Sequence, residues 1–122
     1  MTSSFKKESE DLFVVTLYGT LTFGLLKELE KKADAAFAPG RKVKVLVLAE
    51  NFAGWGHEGD WSDITFMVKH DHYLEKIAVV SSEEWKDKLL AYLSADMRKT
   101  PVEFFPAGKE TEAREWLKKE PE

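Results

Sequence analysis

Two short, almost wholly apolar runs constrain the fold more than any other feature of this sequence. They are Val43–Ala49, with the sequence VKVLVLA, and Ile77–Val80, with the sequence IAVV. Strands buried on both faces have such continuous runs, whereas strands with one solvated face alternate apolar and polar residues. Burial on both faces is typical of a parallel sheet that is covered by helices. The two runs therefore predict interior strands of such a sheet.

Segments with helical periodicity separate the predicted strands. The first helix follows Thr22, its predicted N-cap, and ends at Pro39-Gly40. A second helix is predicted to begin at Asp60 and to run to about His70. A third follows Ser81, which with Glu84 has the spacing of a capping box. Strands that alternate with helices predict βαβ units, a mainly parallel sheet and right-handed crossovers.

Both ends of the chain add strands to this sheet. Phe5–Glu8 and Leu12–Tyr18 are predicted strands that form an N-terminal hairpin, with the first strand at the sheet edge. Gly19 and Thr20 are predicted to break the second strand. A short strand, Val102–Phe105, precedes a final amphipathic helix whose apolar residues are Ala113, Trp116 and Leu117. The predicted fold is α/β, a single domain over residues 1–122 with a mainly parallel, four- to five-stranded sheet and helices packed on it.

Composition excludes several classes of protein. The chain has no cysteine, which excludes thiol catalysis, disulfides and cysteine-based zinc sites. Its net charge is −4, with 18 basic and 22 acidic residues interspersed, which argues against nucleic acid as a partner. No apolar run approaches the ~20 residues of a membrane span, and the N-terminus lacks the apolar core of a signal peptide. We therefore expect a soluble, cytoplasmic protein.

The segment Asn51–His72 is the strongest candidate for a binding site. It leaves the carboxyl end of the predicted central strand, where open parallel sheets favour ligands. We predict a loop beginning at Asn51, followed by a helix with more apolar residues than one face requires. This helix would either be buried between the sheet and its neighbours, which we favour for Ile64, or act as a mobile lid. The predicted ligand-binding residues are Phe52, Trp55, Trp61, Ile64 and Phe66.

Three glycines of this segment match a nucleotide-binding pattern by letter only. Gly54-x-Gly56-x-x-Gly59 has the spacing of the dinucleotide fingerprint. Trp55, however, is bulky where the backbone must approach phosphate, and Glu58 adds negative charge. We interpret these glycines as turn geometry that lets the loop bend around Trp55.

The histidines do not have the spacing of a metal site. His70 and His72 diverge on a helix, and neither they nor His57 belong to a recognised zinc pattern. We interpret His70 as a residue that closes a helix end and His72 as part of a linker. Because no nucleophile and base are arranged for catalysis either, we predict no catalytic residue, no metal, no cofactor and no enzymatic activity.

Three stretches of the chain resemble the bacterial SpoIIAA-like group. They are NFAGWGHEGDW, KHDHYLEKIAVVSSEEW and VEFFPAGKETEAREWL. Members of the group carry a similar N-F-x-G-W loop, a histidine before an I-A-V-V strand that is followed by a tryptophan, and a closing A-x-x-W-L helix. The corresponding positions here are Asn51, Phe52, Gly54, Trp55, His70, Ile77–Val80, Trp85, Ala113, Trp116 and Leu117.

The resemblance implies a βα superhelix of the STAS type, together with the functions of its relatives. The group belongs with the STAS and CRAL-TRIO lipid-binding folds. This implies a small non-catalytic module that binds an apolar or lipid-like small molecule, or a membrane surface, through the Asn51–His72 segment. The alternative is a regulatory protein–protein interaction module of the anti-sigma-factor-antagonist type. The apolar helix would also allow a homodimer.

True antagonists are switched by phosphorylation of a serine at the start of a helix that follows a buried strand. The comparable residues here, Glu50–Gly54, contain no hydroxyl. Ser62 is the nearest serine, and it lies later in the chain. This departure argues against the same phosphorylation switch.

Overall fold

The computed structural model describes residues 3–9, 11–36, 42–56, 74–92 and 100–119. Five strands form one sheet in the order β1-β2-β3-β4-β5, which is also their order along the chain. The strands are β1 Ser4–Ser9, β2 Leu12–Leu21, β3 Val43–Trp55, β4 Leu74–Ser81 and β5 Val102–Pro106. The helices are α1 Phe23–Ala36, α2 Lys86–Tyr92, which follows a 3₁₀ turn at Glu83–Trp85, and α3 Glu110–Lys118.

The sheet has the predicted mixture of strand directions. β1 and β2 form an antiparallel hairpin with β1 at the edge, and the other three pairs of neighbouring strands are parallel. Parallel neighbours require a crossover connection, and α1 and α2 lie in two of these crossovers. The α/β fold with its N-terminal hairpin is therefore confirmed. The helix predicted at residues 60–70 lies outside the described residues.

Helices cover both faces of the sheet, as the apolar strand sequences predicted. On the first face, α1 and α2 contribute Leu29 and Leu89 to a cluster that contains Val47, Ile77 and Val79. On the second face, α3 covers another cluster through two of its small and aliphatic residues. That second cluster consists of Val14, Leu46, Ala78, Val80, Ala113 and Leu117, with Trp116 and Phe105 packed against it.

The run Ile77–Val80 explains why this pattern could be predicted from sequence alone. Its four residues alternate between the two clusters, and all are buried, with at most 3% of their surface exposed. Each side chain removed from water contributes roughly 1.5 to 3 kcal/mol for a valine or isoleucine. A strand that buries every side chain has no solvated position, so its sequence shows no polar alternation.

Two charged side chains of the sheet contact α3 and the turn that precedes it. The buried Lys76 ammonium donates to the carbonyl oxygens of Trp116, at 2.9 Å, and Lys119, at 2.8 Å. At the other end, the backbone N–H of Gly108 donates to the Glu50 carboxylate at 2.8 Å. The cation at the C-terminus matches the helix dipole, and the Glu50 contact holds the turn that precedes the helix.

A third ionic contact joins α3 to the edge strand β1. Arg114 donates to Glu8 and to Glu110, each at 2.8 Å. Its side-chain hydrogen bond to Glu8 lowers the pKa of that exposed carboxyl below its ordinary value. The pair connects residues at opposite ends of the chain. Because both groups are accessible to water, we expect a modest contribution to stability.

Two strands are longer than predicted, and the extra residues pair with each other. The expected break at Gly19 and Thr20 is wrong, because β2 continues to Leu21. The predicted loop beginning at Asn51 is also wrong over its first residues, because β3 continues to Trp55. The ladder joins Tyr18 to Asn51 and Leu21 to Trp55. Backbone pairing between distant segments outweighs the weak strand preference of glycine here.

The start of the next helical segment also differs from the prediction. Ser81 does not form a capping box with Glu84, because Ser81 is the last residue of β4. Ser82 occupies the N-cap position of the 3₁₀ turn and makes no side-chain capping hydrogen bond. The predicted N-cap of α1 is confirmed, since the Leu25 N–H donates to Thr22 Oγ1 at 3.2 Å. No helix among the described residues is long and apolar enough to cross a membrane.

Candidate functional site

At the carboxyl end of the sheet, β2 and β3 extend beyond the end of the neighbouring strand β4. β4 ends at Ser81, which lies opposite Ala49. The buried Ser81 hydroxyl donates to the Ala49 carbonyl oxygen at 2.8 Å, so a side chain replaces the next rung of the ladder. Beyond Ala49, β3 pairs with β2 alone. We call this two-stranded extension, Tyr18–Leu21 with Asn51–Trp55, the ribbon.

The ribbon is bent by irregular pairing. Between Leu48 and Asn51, and again between Phe52 and Gly54, β3 advances by one residue more than β2. Such bulges increase local twist and redirect side chains, and they are common beside functional sites. Gly19 and Gly54 both have positive φ, at 69° and 109°. Side chains other than glycine rarely adopt these values, which explains the two glycines within strands.

Trp85 packs on the first face of the ribbon. Its ring meets that of Phe52 edge to face, with centroids 5.2 Å apart and an interplanar angle of 63°. A Cβ at Gly54 would lie 3.2 Å from Cη2 of Trp85, which is closer than ordinary van der Waals contact. The absence of a side chain at Gly54 therefore allows the tryptophan to lie against the strand backbone. Gly54 thus accommodates a packing contact, which corrects the interpretation of this glycine as part of a loop.

The second face of the ribbon carries an exposed aromatic side chain. Tyr18 is 39% exposed and is the one large hydrophobic residue with such exposure among the residues whose burial the structure describes. Its backbone is nevertheless fixed. The Tyr18 N–H donates to Ser3 Oγ at 2.9 Å, and the Ser3 hydroxyl lies 3.4 Å from the Tyr18 carbonyl oxygen. Thr20 and Asn51, also in the ribbon, are exposed as well.

The predicted site residues have different positions relative to this ribbon. Phe52 lies in the first-face cluster, is 6% exposed and contacts Trp85. Trp55 is the last residue of β3 and pairs with Leu21. The other predicted ligand-binding residues, Trp61, Ile64 and Phe66, lie outside the described residues. The prediction that the five form one ligand site stays a prediction.

The histidines considered as metal ligands are also not among the described residues. His57, His70 and His72 are outside the described residues, as is Ser62. Within the ranges that the structure describes, no group of three or more histidine, cysteine, aspartate or glutamate side chains could hold a metal ion.

Sequence reasoning missed Tyr18 and the contact between Gly54 and Trp85. Tyr18 could have been identified by strand alternation, since Leu17 and Leu21 face the first cluster. The Gly54–Trp85 contact has no local signal. It joins two positions that the family resemblance had already singled out, in the N-F-x-G-W stretch and after the I-A-V-V strand.

Comparisons with known proteins agree with the resemblance and with the fold. A family model described as SpoIIAA-like matches residues 12–118. No curated protein matches the sequence. Among solved structures, an uncharacterised protein of the DUF3478 family from Shewanella loihica PV-4, with a SpoIIAA-like fold, has a TM-score of 0.74 at 16% identity. That match covers 95% of this chain and 92% of the other.

A second solved structure is the anti-sigma factor antagonist SpoIIAA in its unphosphorylated form. The TM-score is 0.65 at 12% identity, and the match covers 98% of this chain and all of the other. At such low identity the two structural matches establish the fold alone.

Proposed function

The chain belongs to the SpoIIAA-like family, and we propose that it is a non-catalytic regulatory module that binds a partner protein through the ribbon. The observation that carries this proposal is the exposed Tyr18 on a backbone held by Ser3 and Asn51. Tyrosine is enriched among the residues that dominate binding energy at protein interfaces. Because the Tyr18 backbone is already held, less backbone conformational entropy is lost on binding.

The opposite face of the ribbon supports the proposal. Trp85 and Phe52 pack against each other on the first face of the ribbon and so support the strands where they extend past β4. The solved neighbour described as an anti-sigma factor antagonist acts, by that description, in protein regulation. From that neighbour we extend to this chain only the property of binding a partner protein. We do not extend the identity of the partner.

Partner binding here would operate without a phosphorylated hydroxyl at the end of β3. Residues 50–56 contain neither serine nor threonine. Glu50 places a carboxylate at this position, and that carboxylate accepts the Gly108 N–H. The carboxylate thus contacts the turn before α3, and this stretch offers no hydroxyl that could be modified. We therefore expect binding that is set by protein concentration rather than by phosphorylation at residues 50–56.

Site-specific photo-crosslinking tests the proposal. A benzophenone amino acid replaces Tyr18 in cells of the organism of origin, and Thr111, an exposed residue of α3, carries the same probe in the control. A protein captured at position 18 but not at 111, which then binds the purified chain in calorimetry, supports the proposal. Equal capture at the two positions, or a captured protein that fails to bind, overturns it.

The second candidate is binding of an apolar small molecule or a membrane surface. It is favoured by the concentration of aromatic and aliphatic residues in the sequence of Asn51–His72. Phe52 is buried against Trp85 and has little surface left for a ligand, so Trp55, Trp61, Ile64 and Phe66 would carry the contact. Native mass spectrometry would detect a retained lipid. Finding none, with no change of tryptophan fluorescence on adding fatty acid or liposomes, would eliminate this candidate.

A further inference from the structure

Two lysines are direct neighbours at the amino end of the sheet. Lys44 of β3 and Lys76 of β4 are partners in the ladder. They lie two residues before Leu46 and Ala78, which belong to the second-face cluster, so both lysine side chains are on the second face. Like charges opposite each other on neighbouring strands destabilise a sheet. The juxtaposition therefore costs stability unless an anion offsets it.

Three more lysines lie beside this pair. Lys42 is two residues before Lys44, the spacing at which an extended chain returns to the same face. Lys118 is one helical turn after Arg114, which reaches β1, so it lies on the same side of α3, toward β3. Lys119 follows it, and its carbonyl oxygen accepts from Lys76 at 2.8 Å. We call Lys42, Lys44, Lys76, Lys118 and Lys119 the lysine cluster.

The most buried member of the cluster has neutral partners only. Lys76 is 5% exposed, and its ammonium contacts two carbonyl oxygens and, at 4.8 Å, the ring of Trp116. Lys44 is half-buried, and its ammonium has no hydrogen bond or ion pair within the described chain. A charge removed from water is costly unless it is paired, and these two lack an opposite charge.

The acidic residues near the cluster do not supply that charge. Asp11 accepts the Ser9 hydroxyl at 3.0 Å, and Glu75 and Glu115 belong to β4 and α3. Among the residues that the structure describes, no carboxylate lies within 4.0 Å of a cluster ammonium. Five lysines thus face three nearby carboxylates, and the cluster keeps an excess of positive charge.

The arrangement suits a small anion with several charges. An ammonium is a compact charge with three donors, and a phosphate group offers several acceptor oxygens to such donors. Lys42 and Lys44 are about 7 Å apart along an extended strand, so flexible side chains can converge on one such group. The dipole of α3 opposes an anion at its C-terminus, but Lys76 already neutralises two of the terminal carbonyls. A long polyanion would also meet a chain of net charge −4.

We propose that the lysine cluster binds a small phosphate-bearing anion, either a free compound or a phospholipid headgroup. Lys42, Lys44 and Lys118 contact the phosphate oxygens, and Lys76 holds the end of α3 in place beside them. The site lies at the amino ends of the parallel strands, whereas the ribbon lies at their carboxyl ends. The two sites are separate, so the failure of one proposal leaves the other standing.

Titration calorimetry with inorganic pyrophosphate tests the site. The wild-type chain should bind with a dissociation constant of about 1 mM or lower. Lys44→Met should weaken binding by about tenfold or more, because a charge-assisted hydrogen bond is lost. Lys44→Arg keeps the charge and should retain binding within about threefold. Lys32→Met, which removes an exposed lysine of α1, is the control and should bind as the wild type does.

A second variant separates binding from folding. Lys118 is exposed at the end of α3, so Lys118→Met should fold normally and still weaken pyrophosphate binding. Circular dichroism and melting temperature without anion check both methionine variants of the cluster. With saturating pyrophosphate, the melting temperature of the wild type should rise, and that of Lys44→Met should rise less.

Sedimentation with vesicles identifies the source of the phosphate once pyrophosphate is bound. Binding to phosphatidylglycerol vesicles but not to phosphatidylcholine vesicles, lost in Lys44→Met, assigns the site to a lipid headgroup. No binding to either assigns it to a free compound.

Four outcomes overturn the proposal. They are a wild-type chain that does not bind pyrophosphate, equal binding by Lys44→Met and Lys32→Met, citrate binding as tight as pyrophosphate binding, and vesicle binding without pyrophosphate binding. The last outcome would indicate a membrane surface without a phosphate site.

Discussion

The ring of Trp85 lies against the backbone of Gly54, so close that a Cβ on the glycine would lie 3.2 Å from Cη2 of the indole. The two residues belong to different motifs of the family pattern and meet at the carboxyl end of the sheet. Phe52 completes the contact from the same strand. The spacing N-F-x-G thus has a packing explanation, in which the phenylalanine meets the edge of the indole and the glycine makes room for it.

Gly54→Ala should therefore destabilise the fold strongly. The methyl group meets Trp85, and φ of 109° is unfavourable for alanine, so we expect a loss of at least about 2 kcal/mol in the free energy of unfolding. Gly24→Ala is the matched control, because nothing lies within 4 Å of a Cβ there and its φ is not positive. That variant should be neutral or slightly stabilising, by up to ~1 kcal/mol. Urea unfolding of both variants checks the prediction, and equal stabilities would contradict it.

Lys76→Met should weaken the attachment of α3. The substitution keeps the apolar stem but leaves the carbonyl oxygens of Trp116 and Lys119 without their donor. We expect a cost of about 1–3 kcal/mol, the penalty for an unsatisfied buried group. Lys118→Met removes an exposed lysine from the last turn of α3 and should cost less than about 1 kcal/mol. Hydrogen exchange of α3 amides should be faster in Lys76→Met alone, and unchanged exchange would refute the anchoring role.

Ser81→Ala should cost about 1 kcal/mol, because its buried hydroxyl donates to Ala49 where β4 ends. Ser82→Ala should change stability by less than about 0.5 kcal/mol, since Ser82 makes no side-chain capping bond. Glu84→Ala distinguishes this role of Ser81 from a role in a capping box. A loss of stability in Glu84→Ala equal to that in Ser81→Ala would favour the box, and thermal unfolding of the three variants gives the answer.

The contact between Arg114 and Glu8 predicts an acid-dependent contribution to stability. The hydrogen bond from Arg114 lowers the pKa of Glu8 in the folded chain below its unfolded value. The contribution is therefore complete above the ordinary glutamate range, and it is lost as pH falls through the lowered pKa. NMR titration of the Glu8 carboxyl should show that Arg114→Gln raises this pKa. Lys118→Gln, a control in the same helix, should leave the titration as in the wild type.

The order of strands and helices could be predicted because the burial of each element leaves a pattern in its own sequence. Val43–Ala49 and Ile77–Val80 are apolar at nearly every position because both of their faces are covered. Thr22 is a local signal of the same kind, since its hydroxyl caps the helix that begins one residue later. For the candidate site, local signals singled out Asn51–His72, which begins within β3, but not the exposed residue Tyr18, which lies on the neighbouring strand.

The sequence by itself determined which segments become strands and helices, because side-chain periodicity and helix caps act between residues a few positions apart. The tertiary structure decided where β2 and β3 end and which side chain packs against the end of β3. Pairing of Leu21 with Trp55 extends two strands through glycines that would otherwise end them. Trp85 lies against Gly54, and Lys76 reaches the end of α3, across chain separations that no local pattern records. These contacts form only after the sheet brings distant backbones together, so the ribbon is a property of the folded chain.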